Sequence, residues 1–376
     1  MNGVLYCDGD VQVRHRPAAD TRRHVVTFDH HHDHPTFDRL AFAEAFLADR
    51  GISATHVLTR TSAWYQYRGL DRAWSAVRRT TSGATDILAY GSSMGGYAAI
   101  RFADAVGATR VLALSPQYSI DPRVMRGERR WSRQASRLRF IPALNGPIRC
   151  SADVVLVHDP CGPDQAHTRR IMAETAVRAV AVRHGGHPVG SFLSEIGCLA
   201  PLVIDAIDGS VDHDTLHAAC RAARSGSMNY LCALADAQPA ARPRTALALA
   251  QRAVAIAPGN PAGLHFLAMQ LRAAGRSEEA VRVYRDVLAL DRSPAYLFMA
   301  ATILLEAGRA GEALAVGREL VEGAPERADY HYLCFRAHLA LRQTTAATTC
   351  LRSALSGDPT NGVYWRAWFR LARILV

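Results

Sequence analysis

Small residues recur along the second half of this 376-residue chain with a period that a stack of helix pairs satisfies. Ala246, Ala280, Ala313 and Ala347 are 34, 33 and 34 residues apart, and Pro258, Arg292, Pro325 and Pro359 keep the same step. Gly275 and Gly308 stand where one helix must turn into the next, with Ala241 and Arg342 at the equivalent places. A unit of this length is one helix–turn–helix. No single pair can bury its own apolar face, so three or more must stack. In the second unit Leu264, Leu267, Ala268, Leu271, Ala280, Tyr284 and Val287 supply the large and small packing positions. The pattern predicts an all-helical domain over 211–376. About four units cover roughly 226–359, and a last amphipathic helix from Gly362 to Val376 closes the stack, with Trp365 and Trp368 as cap packing.

Before residue 210 the pattern is different. Short apolar runs at His24–Phe28, Thr55–Leu58, Ile87–Tyr90, Val111–Leu114, Val154–Val157 and Ala179–Val182 alternate with helical stretches. Those stretches fall at Phe37–Asp49, Leu70–Arg79, after Ser93, after Asp164 and at Ser191–Ile207. Alternation of this kind predicts an α/β domain over 1–210, a mostly parallel sheet covered by helices on both faces.

Between the third run and its helix lies Gly91-Ser92-Ser93-Met94-Gly95, a G-x-S-x-G in strand–turn–helix order. Glycines there allow a turn sharp enough to thrust the central hydroxyl outward, which makes Ser93 a candidate nucleophile. An acid and a histidine are then expected after later strands. The loop after Val157 carries Asp159 and Asp164; Asp164, just before a helix, is favoured, and Asp159 is its rival. His187, after Gly185-Gly186, is the candidate general base. Oxyanion donors would be the Met94 amide and that of Asp29 or His30, after an early strand. Trp64, Tyr65 and Tyr67 are candidates for a substrate pocket, with ordinary core packing the expected use of at least one. Arg130 belongs to an insert, Pro116–Cys150, with eight arginines against Asp121 and Glu128. It is a candidate anchor for an anionic substrate.

Five stretches carry a resemblance to bacterial α/β-hydrolases: Val25-Val26-Thr27-Phe28-Asp29, Trp64-Tyr65-Gln66-Tyr67, the turn with Gly95-Gly96-Tyr97-Ala98-Ala99, Leu114-Ser115-Pro116-Gln117-Tyr118-Ser119, and Gly185-Gly186-His187-Pro188. The resemblance spans about the first half of the chain. It implies an esterase-like serine hydrolase: an ester, thioester or amide, an acylated sugar among the candidates, cleaved by Ser93, His187 and an Asp of the 159–164 loop. Acyl transfer would share the same acyl-enzyme. The helical half resembles tetratricopeptide (TPR) repeats, which implies a concave surface for a protein partner. Two functions compete: a serine hydrolase with a TPR docking module, and a TPR adaptor or scaffold carrying a catalytically silent hydrolase fold.

Composition narrows the remaining classes. With 49% apolar residues the chain is not disordered. Its formal charge of +10 comes from arginine alone, there being no lysine. Without a nucleic-acid motif that charge implies only non-specific attraction to polyanions. The eight dispersed cysteines form no C-x-x-C, the start lacks a leader pattern, and no apolar run approaches the ~20 residues of a membrane helix. A cytoplasmic protein with reduced thiols is expected. The turn with His30, His31, His32 and His34 suggests a metal, but consecutive histidines rarely converge on one ion, and neither metal nor cofactor is expected.

Overall fold

The computed structural model describes residues 3–32 and 35–375, so Asp33 and His34 of the histidine-rich turn and the final Val376 lie outside the described residues. The chain divides into two compact units, residues 1–233 and 234–376.

The first unit is built on a mixed eight-stranded sheet: β1 (Gly3–Cys7), β2 (Val11–Arg16), β3 (Asp20–Phe28), β4 (Ile52–Thr59), β5 (Asp86–Ser92), β6 (Arg110–Leu114), β7 (Asp153–His158) and β8 (Arg178–Ala181), ordered β1-β2-β4-β3-β5-β6-β7-β8. β2 is antiparallel to β1 and β4, and every other pairing is parallel. The apolar runs are continuous because both faces are covered. Side chains alternate, so Val26, Phe28, Ala89, Val111 and Leu156 join one core, while Val25, Leu88, Tyr90, Leu112 and Val157 join the other.

Local departures from the sequence reading have identifiable causes. β2 escapes a search for apolar runs because four of its six residues, Gln12, Arg14, His15 and Arg16, are charged or polar; β1, short and apolar, is an edge strand that pairs only with β2. The helix expected over Phe37–Asp49 is only Glu44–Asp49. Arg14 draws in the carbonyls of Phe37 and Arg39 and, with Arg16, pairs with the buried Glu44, so residues 37–43 wrap around a guanidinium. The stretch Ser191–Ile207 is two helices, Val189–Glu195 and Leu199–Asp208, parted where Gly197 takes φ 72°.

The first unit also runs past the expected boundary at 210. Leu216 and Cys220 of helix His213–Ala223 share a core with Leu202, Val203 and Ile207. Glu195 accepts hydrogen bonds from Ser227 Oγ and from the amides of Met228 and Asn229. Composition turns helical at 211, but packing holds that segment to the sheet.

The second unit is helical throughout its described residues and TPR-like. First helices Pro261–Ala273, Pro294–Glu306 and Ala328–Ala340 each pack on second helices Ser277–Leu290, Ala310–Gly323 and Thr344–Gly357, with Gly362–Leu375 after them. Proline opens two of the first helices, where no amide is needed. Ala268 and Ala280, then Ala301 and Ala313, are fully buried where paired helices cross, which is why small residues recur. At the turns Gly275 and Gly308 take φ 74°, and Arg342 takes φ 58°. The fourth unit keeps the left-handed turn without the glycine that favours it.

Candidate functional site

β5 ends at Ser92 and helix Met94–Arg101 begins two residues later, so Ser93 alone makes the turn, at φ 55° and ψ −118°. Such backbone persists only where its surroundings hold it. A Cβ on Gly91 would fall on the Gly95 carbonyl, and one on Gly95 on the carbonyl of Phe28 and 2.7 Å from that of Asp29. The glycines are steric necessities.

Successive strands deliver the rest of the cluster at their carboxyl ends. His187, after β8, places Nε2 3.1 Å from Ser93 Oγ and hydrogen-bonds through Nδ1 to Asp164 Oδ2, in the loop after β7. Asp164 Oδ1 accepts from Arg130 Nη2 at 2.9 Å and from Gln117 Nε2 at 3.3 Å, and Ser93 Oγ lies 3.3 Å from Gln117 Oε1. Burial pushes the Asp164 carboxyl up, but the hydrogen bond with His187 and the Arg130 charge outweigh it and leave it below the ordinary aspartate value. A hydroxyl facing an imidazole that is oriented by a carboxylate can give its proton to the imidazole, and the carboxylate stabilises the imidazolium that forms. Ser93 is 5% exposed, whereas the His187 side chain keeps 19% of its surface in solvent.

The remaining candidates take other places. Asp159 accepts from the amides of Cys161, His184 and Gly186 at 2.8, 3.0 and 3.1 Å, which ties the histidine loop to the loop after β7. Met94 opens its helix, so its amide has no intrahelical acceptor. Asp29 does not serve as an oxyanion donor: its amide bonds Val57 O at 3.3 Å, and its carboxylate holds Arg39 and the Thr59 amide. His30 packs edge-on against Phe42, with rings 5.6 Å apart. Burial lowers its pKa.

The proposed pocket lining is also corrected. Tyr65 is fully buried, with its hydroxyl on the Asp29 carbonyl, and Tyr67 is buried with its hydroxyl on the Thr61 carbonyl. Both are core side chains. Trp64, 1% exposed, lies 4.8 Å from the Trp131 ring, and both rings contact His31. Arg130 is exposed, but its charge is already paired with Glu128 and Asp164, so it is not a free anchor for an anion. Glu128 also receives His167 Nε2 at 2.9 Å. Burial pushes the Glu128 carboxyl up, but His167 and Arg130 outweigh it and bring it down to about 2. The insert is thus an internal clasp: Arg130 on Asp164, Trp131 on Trp64. Sequence reasoning missed Gln117, which is fully buried and bridges Ser93 and Asp164. The available signal was a polar residue just after the strand beside the elbow strand. Among the described residues no three His, Cys, Asp or Glu side chains gather as a metal site.

A second candidate surface runs along the repeats. His265, Phe298 and Tyr332 are register-equivalent on the first helices, as are Met269, Thr302 and Arg336, and Arg272, Leu305 and Leu339. They follow the i, i+4, i+7 spacing of one helix face, and none is fully buried. Arg272 pairs with Glu306 of the next first helix at 2.5 Å, linking neighbouring units along this face.

No family model matches the chain, and no curated protein matches it. Its structural neighbours are TPR-repeat proteins. A structure of MamA (residues 41 to the end) from Desulfovibrio magneticus RS-1 is 24% identical with a TM-score of 0.31, covering 32% of this chain and 70% of that one. YrrB, described as a TPR protein with an unusual peptide-binding site, is 15% identical with a TM-score of 0.37, covering 48% and 90%. TTC0263, a thermophilic TPR protein of Thermus thermophilus, is 16% identical with a TM-score of 0.34, covering 50% and 96%. The expectation that this chain functions as an esterase-like serine hydrolase is corrected, because its structural neighbours are TPR-repeat proteins. Among the described residues no single helix is long and apolar enough to cross a membrane.

Proposed function

We propose that this chain is a TPR adaptor or scaffold, whose repeats dock a segment of a protein partner and whose N-terminal unit is the platform it carries. The observation that carries this reading is the ladder of half-buried side chains at equivalent positions of three first helices: His265, Met269 and Arg272; Phe298, Thr302 and Leu305; Tyr332, Arg336 and the exposed Leu339. Stacked units of this kind curve, and the curvature makes an extended concave surface of first-helix faces. Aromatic, aliphatic and arginine groups together suit a peptide that buries apolar side chains and offers carboxylates at the rim. The dispersed free cysteines support placing the protein in the cytoplasm. The test is a photo-crosslinking amino acid placed at Thr302 in the full chain, compared with one at Arg282 on a second helix. A discrete adduct at 302 and none at 282 is expected; equal adducts at both, or none at 302, would sink the docking role.

A separate reading concerns the first unit. Its strand order and the Ser93 turn support an α/β-hydrolase fold, and the contacts of His187 with Ser93 and Asp164 support catalytic capacity at Ser93. Labelling by a fluorophosphonate probe that vanishes in Ser93→Ala is the expected result. Failure of the folded wild type to react, with a small phosphonylating reagent as well, would retire this reading and leave the adaptor role untouched.

A further inference from the structure

The first unit contains a cleft of about 650 Å³ lined by the end of β8 and His184, helix His213–Ala223 and the start of helix Met228–Asp236. Its walls divide by chemistry. The floor is apolar and aromatic: Phe192 and Tyr230 stand 6.2 Å apart, and His184 meets the Tyr230 ring edge-on at 5.9 Å. Arg183, Arg221 and Arg224 line the rest. Arg221 and Arg224 stand three residues apart where helix His213–Ala223 runs out, Arg183 follows β8, and among the described residues none of the three has an ion-pair partner or a side-chain hydrogen bond. Two carboxylates on neighbouring segments, Asp159 and Glu195, are engaged elsewhere. Asp159 holds backbone amides of its own loops, and Glu195 holds Ser227, Met228 and Asn229. Two buried wall nitrogens, His184 Nδ1 and His217 Nε2, also lack a protein partner among the described residues.

Three guanidinium groups around one concavity repel one another, and an entering anion would relieve that repulsion. Guanidinium forks match the oxygens of phosphate and carboxylate. The volume falls within the range of roughly 300–1,000 Å³ typical of small-molecule sites. We propose that this cleft binds a small soluble anion with an aromatic body and a phosphate end, the ring against Tyr230 and Phe192 and the phosphate between Arg183, Arg221 and Arg224. The site is independent of the repeats and of any chemistry at Ser93. It shares its loop with His187, since Asp159 fixes the amides of both His184 and Gly186.

Isothermal titration of the full chain with phenyl phosphate, inorganic phosphate and phenol tests both halves of the proposal. Phenyl phosphate is expected to bind at least about tenfold tighter than inorganic phosphate, with phenol the weakest of the three, because aromatic burial and charge pairing each contribute. Arg221→Gln and Arg224→Gln change exposed side chains, so the melting temperature should hold while each weakens phenyl phosphate about tenfold. Equal affinity for phenyl and inorganic phosphate would reduce the cleft to a patch of charge. Unchanged affinity in both arginine variants would place binding elsewhere. Arginine-dependent sedimentation with phosphatidic acid vesicles, without phenyl phosphate binding, would assign the chemistry to a lipid headgroup and overturn the soluble ligand.

Discussion

Acid should unfold the first unit well above the pH at which its carboxylates titrate, and the cause is two histidines buried in the sheet. His24 on β3 is 2% exposed and His56 on β4 is fully buried. His24 lies between Thr55 Oγ1 at 2.9 Å and Ser53 Oγ at 3.2 Å, and its ring stacks on His15 with centroids 5.6 Å apart. His56 Nδ1 meets Thr27 Oγ1 at 2.6 Å. Burial, reinforced by the neighbouring His15 and His56, brings His24 down to about 3. Burial, helped by Arg14 and Arg16, outweighs the opposing pull of Glu44 and Asp29 and brings His56 down to about 4. Both are neutral in the folded chain near neutrality, whereas the unfolded chain takes up protons below the ordinary histidine value of about 6.5. Their contribution is thus complete above about pH 6.5 and is lost as pH falls toward the folded values. From pH 7 to 4.5 linkage gives a loss of about 5 kcal/mol for the pair, a large share of the roughly 5–15 kcal/mol a domain holds. Urea unfolding followed by tryptophan fluorescence between pH 7 and 4.5 measures it. In His56→Asn, which retains a group for Thr27, the slope between pH 6 and 5 should fall by about 1.2 kcal/mol per pH unit. A variant with the wild-type slope would refute the argument.

Three further substitutions follow from local geometry. Gly95→Ala drives a methyl into the backbone of Phe28 and Asp29 and should cost about 4 kcal/mol or more; a urea midpoint near wild type would contradict the tight turn. Arg342→Gly relieves the φ of 58° and should raise repeat stability by about 0.5–1 kcal/mol in thermal melts, the relief exceeding the entropy glycine adds to the unfolded chain. Asn260→Ala removes the cap that accepts from the Ala262 and Gly263 amides at 2.9 and 3.2 Å. It should cost about 1 kcal/mol by urea titration.

What the sequence discloses is what local sterics force. The repeat step is readable because only small side chains fit where Ala268 crosses Ala280 and Ala301 crosses Ala313, so the constraint returns every unit. The Ser93 turn is readable because Gly91 and Gly95 have backbone where a Cβ would go. Partners distant in sequence are not readable in that way. Nothing near Arg14 announces that it will gather the carbonyls of Phe37 and Arg39 and delay the start of a helix to Glu44. Nothing near Arg130 shows that Glu128 and Asp164 will occupy it. Tyr65 and Tyr67 look like pocket residues because aromatic side chains serve cores and pockets alike; only the fold places their hydroxyls on buried carbonyls. The shift of the first unit's end from 210 to 233 has the same origin, since Glu195 reaches across more than thirty residues to cap the segment at Ser227.

The adaptor reading is tested most directly by quantitative affinity enrichment from the native cell, comparing the wild-type full chain with a Thr302→Arg, Leu339→Asp variant of equal melting temperature. Both side chains reach solvent on first helices, and Thr302 bonds only within its own helix, to the Phe298 carbonyl. The account predicts a small set of proteins enriched by the wild type, lost with the variant, and retained by Arg282→Ala on a second helix. Identical enrichment by the wild type and the groove variant would contradict it.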